Sequence, residues 1–193
     1  MQKRFLMAVD LASTVTYLKD HAMEHGFHVH DERHFVETYT LRQSWEIDVH
    51  PAEACAGPLD LHIALDVNPR LLLSFEDALN DTDGIPEDED GAFEVTFFFN
   101  WSLPPLEHPP DIIVLSAELA GIGGIDLPIE VSSVETMAAL SDRGDRLLSV
   151  VGAAKRSLAD IVFKQDSLCD VLDRVHEVSM YMVEHADEWT EQR

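Results

Sequence analysis

Between Leu59 and Val67 the side chains alternate without a fault. Leu59, Leu61, Ile63, Leu65 and Val67 fall on one side, and Asp60, His62, Ala64 and Asp66 on the other. Only an extended chain returns every second residue to the same side, so this run is a strand with one buried and one wet face. The pattern recurs from Phe93 to Leu103. There Phe93, Val95, Phe97, Phe99, Trp101 and Leu103 oppose Glu94, Thr96, Asn100 and Ser102, with Phe98 interrupting the polar side. A third alternation, from Phe35 through Tyr39, Leu41, Trp45 and Ile47 to Val49, ends at Pro51. Strands wetted on one face belong to antiparallel sheets whose other face is covered.

The remaining segments supply the cover. Phe5, Ala8, Val9, Ala12, Val15, Leu18 and Ala22 share one helical stripe, predicting a helix from about residue 3 to Gly26. Residues 71–79 fit either a strand extension or a short helix, and a loop is expected from Asn80 to Gly91. Ile112–Leu119 is apolar on both faces and reads as a central strand, followed by a turn at Gly121, Gly123 and Gly124 and a short strand over 125–131. Ser132 with Glu135 resembles a capping box opening a short helix to Leu140. From Leu147 an apolar series runs with spacings of four and three through Val151, Ala154, Leu158, Ile161, Gln165, Leu168, Leu172, Val175, Ser179 and Met182 to Ala186. That spacing suits a long coiled-coil helix or two helices broken near Asp166-Ser167, and the breadth of the stripe favours two. The expected fold is α+β: an N-terminal helix, an antiparallel sheet of four to five strands, and a C-terminal helical hairpin or long helix. It forms one domain, with residues 133–193 helical. Leu158, Ile161, Leu168 and Leu172 are the expected seam of a homodimer.

Charge narrows the partners. The 193 residues carry 13 Lys or Arg and 37 Asp or Glu, a formal net charge of −24. Residues 71–142 hold 16 of the acids and no Lys or Arg. Phosphate-rich partners are held by surplus cations, so direct nucleic-acid or anionic-membrane binding is not expected, and a protein partner should be basic. No run approaches a membrane span of ~18 apolar residues. The apolar stretch after Lys3-Arg4 stops at Asp10, too early for a signal-peptide core. Two isolated cysteines, Cys55 and Cys169, suit reduced thiols in a cytoplasmic protein.

Two places could carry chemistry. His21, His25, His28, His30 and His34 lie within fourteen residues. His21 and His25 stand one helical turn apart, and His28 and His30 would share a face of an extended segment, so these four are the candidate ligands for a divalent metal. The HExxH order is absent. The second place is the wet sheet face, where Glu46, Asp48, Asp60, His62, Asp66 and Glu94 would be neighbours. Like charges across strands are unfavourable unless a cation lies between them, and a metal or a basic partner could be that cation. The acidic run from Asp81 to Asp90 fails the calcium-loop pattern, and no nucleophile motif is present. The sequence therefore points to a non-catalytic acidic binding protein of chaperone, adaptor or regulator type, with no cofactor required. The alternative is a metal-binding protein or metal-dependent enzyme using the histidine cluster.

Overall fold

The computed structural model describes residues 9–82, 85–86, 91–136, 145–164 and 167–190. The first helix, α1 (Leu11–Glu24), is capped by Asp10, whose carboxylate accepts from Ser13 N at 3.3 Å and Ser13 Oγ at 2.6 Å. It buries Val15, Leu18 and Ala22 of the expected stripe together with Leu11, whereas Ala12 is exposed and residues 1–8 lie outside the described part. Gly26, at φ 84°, turns the chain straight into the sheet.

Strands β1 (Phe27–Val36), β2 (Gln43–Pro51), β3 (Asp60–Val67), β4 (Glu94–Ser102), β5 (Ile129–Thr136) and β6 (Asp145–Ser157) form one sheet, ordered β1-β2-β3-β4-β6-β5. Every neighbouring pair is antiparallel. The α+β class stands, with six strands rather than four or five. The alternation from Phe35 to Val49 is not one strand but the end of β1, a turn and β2. The turn is closed by Glu37 N–H donating to the Arg42 carbonyl at 2.9 Å. Six residues separate the strands, so odd positions of β1 pair with even positions of β2 and the faces exchange across the turn: Phe35 pairs with Ser44 and stays exposed, while Trp45, Ile47 and Val49 are buried.

One open alternative is decided and two expectations are corrected. Residues 69–81 form helix α2 (Pro69–Asp81), started by Asn68 accepting from Arg70 N and by a proline in the first turn. This helix takes in Asn80 and Asp81, and residues 83–84 and 87–90 of the expected loop lie outside the described part. Ile112–Leu119 is no central strand but most of α3 (Ile112–Gly123), capped by the Asp111 carboxylate on Ile113 N and Val114 N. A run whose only charged residue is Glu118 has little period to read, and the cap decides. Ser132 opens no helix, because it lies in β5, where it pairs with Ser149, and residues 137–140 of the expected short helix lie outside the described part.

The largest correction concerns the heptad-like series. Its first third is β6, not helix, paired to β4 from Ser102↔Ser149 to Glu94↔Ser157. Leu148, Val150 and Ala154 are buried at alternate positions while Leu147 is exposed. Gly152, on the same inward side, has no room for a side chain. A Cβ there would sit 2.9 Å from Leu127 Cδ1 and 3.0 Å from Trp101 Cζ3. The helical part then divides into α4 (Leu158–Phe163), capped by Ser157, and α5 (Cys169–Thr190), so the break falls near Asp166-Ser167 as expected.

The core lies between the apolar sheet face and the helices. Trp45, Ile47 and Val49, Leu61, Ile63 and Leu65, and Phe97, Phe99 and Trp101 meet α1, α3 and α5 there. Leu158, Ile161, Leu168 and Leu172 are all buried in that same core, so within one chain the expected seam is already covered. Ser179, a polar entry in the apolar series, accepts from Trp101 Nε1 at 2.8 Å and donates to the Val175 carbonyl at 2.7 Å. A buried indole N–H requires such a partner. No described helix is long and apolar enough to cross a membrane.

Candidate metal centre on the open sheet face

The face turned away from the helices is polar, and a bulge in β1 arranges it. Val29 pairs with Val49 but Asp31 pairs with Asp48, so His30 is the extra residue. One inserted residue reverses the parity of the rest of a strand. Before the bulge, His28 stands directly opposite His50 on the open face. After it, Arg33 pairs with Glu46 on that face, while His34 goes to the other side and stacks on Trp45 at 4.1 Å between ring centroids.

The bulge brings a cation to the carboxylates. Arg33 Nη2 lies 3.0 Å from Asp48 Oδ1 and its Nε 3.4 Å from Glu46 Oε2. His62, opposite Asp48 on β3, bridges the same two carboxylates, with Nε2 3.2 Å from Glu46 and Nδ1 on Asp48. Arg42 pairs with Asp66, and Lys155 lies 3.7 Å from Glu94. The expected gathering of Glu46, Asp48, Asp60, His62, Asp66 and Glu94 on one face is real, and cations of the chain itself stand among the carboxylates. Phe98 stands on this face opposite Ala64 and Ala153 and remains exposed.

The histidine cluster is split in two. His21 and His25 join Cys169, the first residue of α5, in one group. His30 joins His50 and Cys55 in the other, and within each group the ligating atoms lie within 4.8 Å of one another. In the outer group, on the sheet face, Cys55 Sγ is 3.3 Å from His30 Nε2 and 3.3 Å from His28 Nδ1. The edge of a tetrahedron around zinc with bonds of ~2.0–2.3 Å is about 3.5 Å, so two edges already have close to the required length. His30 and His50 meet edge to face at 4.5 Å between centroids.

His50 is the distinctive member. Its Nε2 lies 2.9 Å from Asp60 Oδ1, which fixes the proton on that nitrogen. Its Nδ1 is buried and has no hydrogen-bond partner. A carboxylate behind one ring nitrogen with a bare lone pair on the other is the arrangement of a metal-ligating histidine. Beside it opens a groove of about 550 Å³ lined by His30, His50, Asp60, Leu61, Asp48 and His62, with Asn100 and Ser102 of β4 on its far wall.

The inner group differs. His21 Nδ1 lies 3.1 Å from Glu24 Oε2 and its Nε2 meets the Tyr17 hydroxyl, so both nitrogens are engaged. His25 Nδ1 lies 2.6 Å from Asp173 Oδ1 on α5. This group fastens α1 to α5.

Of the four candidate ligands, His28 and His30 therefore sit with a donor set and His21 and His25 sit in a helix clasp. His50 and Cys55 were missed. Neither has a local partner, and only the pairing of β1 with β2 and the 3-10 turn at Ala52–Ala54 bring them to His30. The chain matches no protein family model, no curated protein and no solved structure.

Proposed function

We propose that this protein binds a zinc-type divalent cation at His30, His50 and Cys55, with His28 reaching the same thiolate as a fourth donor. The observation that carries the reading is the buried, unpartnered Nδ1 of His50, held in place by Asp60. A buried nitrogen left without a partner costs roughly 1–3 kcal/mol, and a cation at that point removes the cost. Imidazoles with one thiolate suit zinc better than magnesium or calcium, which take oxygen ligands. With His28 added to the three donors of the group the coordination sphere would be closed, which favours a binding role over catalysis, and a reducing cytoplasm suits the thiolate.

Elemental analysis of protein purified with reductant and dialysed against zinc tests the reading. One zinc per chain in the native protein, lost in His50→Ala and retained in His21→Ala, is the expected result. Metal-free native protein overturns it.

A second reading, a basic protein partner, rests on the charge distribution. The 16 acids and absent cations of residues 71–142 give the partner's cations a place to gather. Binding that weakens steeply with added salt is its test.

A further inference from the structure

Helix α3 buries only one side. Leu115, Leu119 and Gly123 enter the core, Gly123 close against Ile129 of β5. On the other side Ile113 is 81% exposed, Val114 55%, and Ile125, just past the helix end, 94%. Ala117, Ala120 and Gly121 are exposed between them, recurring with Ile113 at spacings of three and four. A helix apolar all round is normally enclosed, and an exposed apolar strip rimmed by polar residues marks a contact surface.

The rim is predominantly acidic. Asp111 stands at the N-terminal end and Asp126 beyond the C-terminal end. Along the side that packs on α5, Glu118 accepts from the Tyr181 hydroxyl, and Glu177 and Glu184 stand exposed four residues before and three after that tyrosine. Burial and the Glu118 carboxylate push the Tyr181 phenol up to about 12, so it stays a donor. Arg174 of α5, which lies against Gly124, is spent on the Ile122 carbonyl at 2.9 Å. An anionic lipid surface would be repelled by such a rim.

We infer that the outer face of α3 docks a basic amphipathic helix of a partner protein. Its apolar stripe lies along Ile113, Ala117 and Gly121, where the small side chains let a backbone approach. Lys or Arg at its two ends and along the flank facing α5 meet the acids there. The inference rests on the basic-partner reading and gives that partner a place and a shape. It is independent of the metal.

The test uses the full chain and three synthetic peptides of about 18 residues, five helical turns. One is an amphipathic Leu/Lys helix, one a Gly/Ser/Lys peptide of equal charge, and one an amphipathic Leu/Glu helix. Fluorescence anisotropy at physiological ionic strength is expected to show the Leu/Lys peptide binding at least about tenfold tighter than either control. Ile113→Glu should abolish that preference. Ile125→Asp, outside the helix, should reduce it and serves if the first variant does not fold. Equal binding of the two lysine peptides overturns the inference while leaving a basic partner in place. Binding of neither lysine peptide overturns both. Native-like preference in folded variants overturns the location, and a homodimer that the same variants dissolve assigns the face to a second copy instead.

Discussion

Two histidine–cysteine triads in one chain, alike in residue type and in spacing of the ligating atoms, differ in what the nitrogens already hold. In the inner triad both nitrogens of His21 are bonded, to Glu24 and Tyr17, and His25 is tied to Asp173 on the facing helix. In the outer triad Asp60 takes one nitrogen of His50 and nothing takes the other. Proximity of donors is thus a poor guide to a metal site, because a lone pair must also be free to bind. The inner triad is better understood as a polar clasp that holds α1 against α5, the outer as a donor set on an open groove.

The comparison can be broken most severely by exchanging the two triads' roles. His50→Ala should weaken zinc binding by at least about 100-fold in a chelator competition, whereas His21→Ala should leave it unchanged. Stability should respond in the opposite sense. His21 is 7% exposed, and its loss removes a buried ring together with its bonds to Tyr17 and Glu24, costing about 1–3 kcal/mol in urea unfolding, while metal-free His50→Ala should stay within about 0.5 kcal/mol of the native chain.

The carboxylates behind each triad give a smaller contrast. Asp60→Asn should lower zinc affinity by about 10–100-fold without changing the unfolding midpoint of the metal-free protein. Asp173→Asn should lower that midpoint slightly and leave zinc affinity alone. Smaller again is His28→Ala, which leaves three donors and should cost about tenfold in affinity, read by the same competition.

Acid should separate the two regions most gently. The Asp10 carboxyl is held below its ordinary 3.8, chiefly by the Ser13 hydroxyl and then by the Ser13 backbone N–H. A carboxyl depressed in the folded state stabilises above its ordinary value and loses that contribution as pH falls. Hydrogen exchange at pH below that value should therefore show faster exchange in the first turn of α1, absent in Asp10→Ala, which lacks the titrating cap. Equal acid sensitivity in both proteins would contradict the cap's role.

The strands with one wet face were legible because alternation is a local property. Residues 59–67 and 93–103 need no tertiary information to be recognised. The run from Leu147 was misread because spacings of four and three can be drawn through any sufficiently apolar segment. The buried alternation of Leu148, Val150 and Ala154, with Gly152 against Trp101, was the stronger signal. Helix α3 was illegible by period for the opposite reason, since every position but Glu118 is apolar or small.

The histidine cluster was visible as composition, but its division was not. A single bulge at His30 determines that His30 joins the face where His28 already pairs with His50, that Arg33 reaches Asp48, and that His34 stacks on Trp45. Bulges leave little trace in a lone sequence. Asp60 was read as part of an acidic face, and its partner, ten residues earlier across the β2–β3 pairing, gives it a different role.

Cobalt in place of zinc tests the central claim most directly, because a thiolate bound to cobalt gives a charge-transfer absorption that reports which cysteine is a ligand. The account predicts that this band saturates at one cobalt per chain, vanishes in Cys55→Ser and persists in Cys169→Ser. A band that survives Cys55→Ser and is lost in Cys169→Ser would place the metal in the helix clasp and contradict it.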